Sequence, residues 1–190
     1  MRTVIFDLDY TLLDTAQFKQ ALAASVELSL SDWTTAYDNF VRDVGQFEPE
    51  AFLRGVSPQQ RRQFDAVVTR TKAYLYPDSW LFLHQAVQAG YRVVVVTFGQ
   101  AIWQQRKLTA IAFPSPITTL VTATSKLITL ADYVESGTVI VDDRADELDA
   151  IGRAFPDTIR YWIRRHNGKY RNTVPSLPHQ AVKNLTDIKL

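Results

Sequence analysis

Cysteine is absent from the 190 residues, which excludes disulfides, thiolate nucleophiles and cysteine-held zinc. An excess of one charge is absent too. Twenty-one Lys and Arg against twenty Asp and Glu leave a formal charge of +1, so no global field favours nucleic acid or an anionic membrane surface. No apolar run approaches the ~20 residues needed to span a bilayer, and the N-terminus reads directly as a strand, its apolar stretch too short for a secretion signal. His84, His166 and His179 lie far apart and show no metal-binding spacing. There are no internal repeats and no low-complexity tracts. These absences lead us to expect a cytoplasmic enzyme or binding protein with no nucleic-acid and no membrane partner.

What is present is an alternation of two periods. Thr3–Phe6, Tyr91–Val96, Ile117–Val121, Thr138–Val141 and Thr158–Ile163 are short runs rich in Val, Ile and Thr. Continuous runs of this kind suit strands covered on both faces, as in parallel sheets. Ser79–Ala89, Ala101–Ala112, Ser125–Glu135 and Ala145–Ala154 fill the gaps with helical patterns. Strand–helix alternation argues for an α/β fold with a doubly wound, Rossmann-like parallel sheet. Residues 14–76 differ. Trp33, Tyr37, Phe40 and Val44 form one apolar face, Phe64, Val67, Val68 and Leu75 a second, and Phe18, Leu22 and Val26 a third. Ser31 with Asp32 offers a start for one of these helices, and Ser57-Pro58 a start for another. The chain therefore divides into an α/β core of residues 1–13 and 77–190 and a small inserted α-helical module of residues 14–76.

The chemistry gathers where strands end, which is where doubly wound sheets bind ligands. The first strand runs into Asp7-Leu8-Asp9-Tyr10-Thr11. Two carboxylates two positions apart can divide the roles of nucleophile and general acid/base, provided a divalent cation shields their charges. The second strand ends at Thr97, followed by Phe98 and Gly99, a hydroxyl beside backbone that an anion can approach. Lys126 opens the helix after the third strand and can add a point charge for phosphate. The fourth strand ends in Asp142-Asp143, with Asp146 and Asp149 beyond; adjacent carboxylates at a sheet edge call for a hard cation such as Mg²⁺. Carboxylate pair, hydroxyl, lysine and second carboxylate pair together make a phosphoryl-transfer site.

Asp7-Leu8-Asp9-Tyr10-Thr11, Thr97, Lys126 and Asp142-Asp143, in that order and each after a strand, resemble the haloacid dehalogenase-like hydrolase superfamily over essentially the whole chain. The resemblance puts residues 14–76 in the place of the family's helical cap domain. It implies that Asp7 attacks phosphorus and carries an aspartyl-phosphate, while Asp9 protonates the leaving group and then activates water. It implies phosphate binding by Thr97, the Phe98 amide and Lys126, with Lys126 also restraining Asp7. It implies Mg²⁺ held by Asp7, the backbone carbonyl of Asp9, and Asp143 with Asp142. Dehalogenases of this superfamily lack an aspartate at the position of Asp9, which favours phosphoryl chemistry. Tyr10 and Phe98 depart from the family pattern, and the acids after Asp143 are irregular.

The substrate class is then a small phosphorylated metabolite, because a closing cap must enclose the whole leaving group. A phosphomutase using the same groups and a catalytically weak phosphate-binding or regulatory protein remain as alternatives. The remaining polar residues take plainer readings. Asp146 and Asp149 read as a solvated helix face, Arg106 and Lys107 as helix decoration, and Arg160, Arg164, Arg165, His166, Lys169 and Arg171 as an exposed strand end and loop.

Overall fold

The computed structural model describes residues 2–190. The chain opens with strand β1 (Thr3–Asp7), then runs through helices α1 (Thr15–Ser25), α2 (Leu30–Val44), α3 (Pro49–Phe52) and α4 (Pro58–Val68) before α5 (Pro77–Gln88). From there strand and helix alternate: β2 (Arg92–Phe98), α6 (Ala101–Ile111), β3 (Thr118–Thr122), α7 (Lys126–Leu130), β4 (Val139–Asp142), α8 (Ala145–Ala154), β5 (Ile159–Ile163) and β6 (Gln180–Val182). All pairings are parallel, and the strands lie in the order β3-β2-β1-β4-β5-β6. The chain winds outward from β1 in one direction and from β4 in the other. The crevice beyond the carboxyl ends of β1 and β4 is therefore the switch point where such sheets take ligands.

The side-chain period of the strands explains the layers. Val4 and Phe6 of β1, with Val93 and Val95 of β2, face the larger core, which they share with Phe82, Leu83 and Ala86 of α5. Ile5, Val94, Val96 and Ile140 face the other side, against Leu130 of α7 and Leu148 and Ile151 of α8. A buried Val, Leu or Ile contributes about 1.5–3 kcal/mol relative to leaving it exposed, so two covered faces suffice to fix the register of β1 beneath the site.

The helical insertion after β1 is not a separate island. Trp103 of α6 meets Phe47 of the insertion edge to face and stacks on Phe64, with ring centroids 5.4 and 6.0 Å apart. Arg106 of the same helix pairs with Asp65 of α4. Two crossings join the insertion to the sheet: Asp14 N–H donates to Tyr74 O and Tyr76 N–H donates to Leu12 O, at 2.8 and 2.9 Å.

Several local expectations need correction. α2 starts at Leu30 with Ser29, not Ser31, as its cap, because the Ser29 hydroxyl accepts from the Asp32 N–H. It ends at Gly45, whose φ of +89° suits the left-handed cap that glycine adopts without penalty. α7 is one short turn rather than a helix reaching residue 135, because turns at Ala131–Tyr133 and Ser136–Gly137 follow it. A sixth strand, β6, forms near the C-terminus in addition to the five strands expected. Arg160 and Arg165, expected on an exposed edge, are buried. Arg165 donates twice to Thr11 O and pairs with both oxygens of Asp78, tying the loop after Asp9 to α5.

Candidate active site

Asp7 is the last residue of β1, and Asp142 the last of the neighbouring β4, whose Val141 pairs with Phe6. The sheet register alone sets these carboxylates side by side. Lys126, the first residue of α7, reaches between them: its Nζ donates to Asp7 Oδ1 at 2.7 Å and to Asp142 Oδ2 at 2.6 Å, all three groups buried. The other oxygen of Asp142 accepts from the Arg144 N–H at 2.9 Å. Asp143 is anchored through its backbone, its carbonyl accepting from the Trp162 indole N–H at 3.1 Å.

Asp7, Asp142 and Asp143 each bring a carboxylate oxygen to within 4.8 Å of the others. Asp143 Oδ2 is buried and has no hydrogen-bond partner. A buried, unpaired carboxylate oxygen costs several kcal/mol. Burial first, and then the facing Asp7 and Asp142, push the Asp143 carboxyl well above the ordinary carboxylate range. Burial likewise raises Asp7, against the pull of Lys126. A hard divalent cation would satisfy this geometry: oxygen donors only, one of them an orphan, in a site whose negative charge a single lysine does not neutralise.

Asp9 sits apart from that cluster. Lys107 Nζ donates to its two oxygens at 2.9 and 2.6 Å, and the Thr15 hydroxyl donates to Oδ1 at 2.9 Å. Burial alone would raise the pKa of Asp9, but the Lys107 charge and these hydrogen bonds bring it below the usual value. Thr97 points its hydroxyl toward Asp9 Oδ2 at 3.5 Å, the outer limit of a hydrogen bond. Tyr10 follows with φ +60°, a left-handed conformation rare for an aromatic residue. Its N–H is held by Leu13 O and by the Thr15 hydroxyl, and the turn puts the residue on the cavity wall.

Gly99 makes the third wall possible. Its φ is +142°, and a Cβ there would meet Gln104 Nε2 at 2.7 Å. That amide donates to Phe98 O at 2.8 Å, which closes the turn after β2. The Phe98 side chain is exposed and lies on the cavity wall. The cavity measures about 220 Å³, and Asp7, Asp9, Lys126 and Asp143 are among the residues that line it.

The structure thus brings Asp7, Lys126, Asp142 and Asp143 into one cluster, and Asp9 with Thr97 into an adjacent one. It also adds groups that sequence reasoning missed. Lys107 was read as helix decoration, yet it is buried on the face of α6 that carries Trp103, Leu108 and Ile111. A lysine four residues after Trp103 and four before Ile111, on an otherwise apolar stripe, was the available signal. Lys19, Lys169 and Tyr170 also line the cavity. Lys19 lies one turn beyond Thr15 on α1; Lys169 and Tyr170 lie in a loop with no periodicity to read. Asp149, expected in solvent, is buried instead, and its carboxylate accepts from the N–H groups of Ser176 and Leu177. Asp146 is exposed, as expected, and pairs with Arg144.

No protein of curated function matches the chain. Solved structures share its fold at low identity. The HAD-hydrolase YfnB from Bacillus subtilis, bound to magnesium, matches at 15% identity and a TM-score of 0.63, covering 98% of this chain and 96% of that one. The L-2-haloacid dehalogenase from Xanthobacter autotrophicus, with chloropropionic acid covalently bound, matches at 12% and 0.61, over 98% and 96%. A predicted phosphoglycolate phosphatase from Haemophilus somnus matches at 17% and 0.58, over 98% and 96%. These likenesses establish the fold and include both phosphatase and dehalogenase branches. The family model for haloacid dehalogenase-like hydrolases matches residues 4–158, and the chain belongs to that family.

Proposed function

We propose that the protein is a magnesium-dependent phosphohydrolase acting on a small phosphate monoester. The observation that carries this reading is the orphaned Asp143 oxygen beside Asp7 and Asp142, with Lys126 bridging the latter two. Asp7, Asp143 and Asp142, with the backbone carbonyl of Asp9, would hold Mg²⁺. Its charge would neutralise the acids so that Asp7 can meet a phosphate dianion.

A carboxylate oxygen of Asp7 attacks phosphorus and the phosphorus–oxygen ester bond breaks. The departing oxygen takes a proton from the carboxylic acid form of Asp9, a form that Lys107 disfavours in the free protein and that the substrate's negative charge beside Asp9 would favour. Asp9, now a carboxylate, removes a proton from water; the resulting hydroxide attacks phosphorus, returns the electron pair to Asp7 and releases inorganic phosphate. Lys126 holds Asp7 in one orientation throughout. Thr97 and the Phe98 amide, with Lys126, would bind the phosphoryl oxygens. Asp9 is the residue that distinguishes this chemistry from carbon–halogen cleavage, in which no leaving oxygen needs a proton. Residues 14–76 act as a cap that excludes bulk water and encloses the leaving group.

The reading is tested by p-nitrophenyl phosphate hydrolysis with Mg²⁺, with EDTA, and in Asp7→Asn, alongside 2-chloropropionate as a dehalogenase substrate. We expect metal-dependent phosphate release that the variant lacks. Halide release without phosphate release would replace the reading with dehalogenation, and turnover of neither would favour a binding protein.

A further inference from the structure

Five cationic side chains line the cavity, Lys19, Lys107, Lys126, Arg144 and Lys169, against three acids, Asp7, Asp9 and Asp143. Three of the cations are spoken for: Lys126 by Asp7 and Asp142, Lys107 by Asp9, and Arg144 by Asp146 and Glu147. Lys19 and Lys169 have no carboxylate and no hydrogen-bond acceptor among the described residues. Lys19 belongs to α1 of the insertion and is half-buried, and Lys169 belongs to the loop after β5 and is exposed at the cavity rim. The Lys19 ammonium lies 4.3 Å from the centroid of the Tyr37 ring, so that ring presents a cation to the cavity rather than a free stacking face.

Resting on the phosphohydrolase reading, we infer that the leaving group carries its own negative charge, a carboxylate or a second phosphate, which Lys19 and Lys169 receive while Lys126 and the acid cluster take the phosphoryl group. Two unpaired ammonium groups facing one cavity repel each other, and an anion between them removes that repulsion. The volume sets the size. At about 220 Å³ the cavity falls below the usual 300–1,000 Å³ of sites for drug-sized ligands, so the leaving group is a short acidic chain rather than a nucleoside.

Steady-state kinetics on three esters of similar length test this: phosphoglycolate, ethanediol bisphosphate and the neutral-tailed ethyl phosphate. The wild-type protein should show kcat/KM at least about tenfold higher for one or both acidic esters than for ethyl phosphate, the size expected of one charge-assisted contact. The carboxylate and bisphosphate arms separate the two sources of charge. In Lys19→Gln and Lys169→Gln the ratio of acidic to neutral kcat/KM should fall by about tenfold, with unchanged thermal midpoints as the folding control. An equal wild-type rate for all three esters, or a ratio unmoved in both variants, overturns the inference while leaving a phosphohydrolase in place. No phosphate release from any ester overturns the phosphohydrolase reading itself.

Discussion

Lys107 and Asp9, 98 positions apart in the chain, form a two-armed ion pair at the mouth of the β1 turn, with Nζ 2.9 and 2.6 Å from the two carboxylate oxygens. The pair fixes the orientation of Asp9 and holds it ionised at lower pH than an isolated carboxyl would be. In Lys107→Gln, Asp9 loses its counter-charge and its pKa rises. Release of the leaving group needs the acid form of Asp9, so the alkaline limb of the kcat/KM profile should then move to higher pH, while loss of the orientation that Lys107 imposes should lower kcat about 10–100-fold. A pH–rate profile identical to wild type would mean that Asp9 takes no part in proton transfer.

The acid cluster makes a second prediction, in stability. Without metal, Asp7 is pushed up to about 7 and Asp143 to about 9, because burial and mutual repulsion disfavour their charges. Raised folded-state values give stability that is fully present below the ordinary carboxylate pKa of ~4 and lost as pH rises through the folded values. The metal-free protein should therefore melt at progressively lower temperature between pH 5 and pH 9. Mg²⁺ should raise the melting point, and by more at pH 9 than at pH 6, because binding displaces the protons. A melting point flat across that range, with no response to Mg²⁺, would contradict the cluster as a cation site.

Asp149 behaves in the opposite sense, away from the cavity. Ser176 and Leu177 N–H groups and the Ser176 hydroxyl all donate to its carboxylate. They outweigh burial and bring its pKa below the usual value. Its contribution is present above the unfolded-state pKa and is lost as pH falls through the folded one. Asp149→Asn removes one acceptor oxygen and the charge, and should cost about 1–3 kcal/mol in urea denaturation at neutral pH. Activity per folded molecule should not change.

Gly99→Ala tests the turn that follows Thr97. The new Cβ meets Gln104 Nε2 at 2.7 Å, and a φ of +142° is itself strained for alanine. We expect about 1–3 kcal/mol of destabilisation and a fall in kcat as the Phe98–Gly99 backbone shifts. Gly55→Ala is the comparison: φ is +87° but nothing lies within 4 Å of the added carbon, so it should show the backbone cost alone.

How much of this was readable beforehand follows from where each residue sits. Asp7, Lys126, Asp142 and Asp143 lie at strand ends or helix starts, and in a parallel sheet those positions share one edge whatever the intervening sequence. Lys107 lies in mid-helix, where its direction depends on which face of α6 meets the insertion. Its place on the same stripe as Trp103 and Ile111 carried that information, but a lysine is ordinarily read as solvated. Asp149 is parallel: it shares the buried face of α8 with Ala145, Leu148 and Gly152, and its partners lie in an irregular segment with no pattern. β6 is three residues long with mostly exposed side chains, so it shows no hydrophobic period to find.

Phosphate release by this route passes through a phosphoryl group carried on Asp7. Acid-quenching the protein with Mg²⁺ and a turned-over phosphate ester, followed by peptide mass spectrometry, tests it directly. We expect one phosphoryl group on the peptide containing Asp7, absent in Asp7→Asn and absent with EDTA. An unmodified Asp7 during active phosphate release, or an alkyl rather than a phosphoryl adduct on it, would rule out phosphoryl transfer through Asp7.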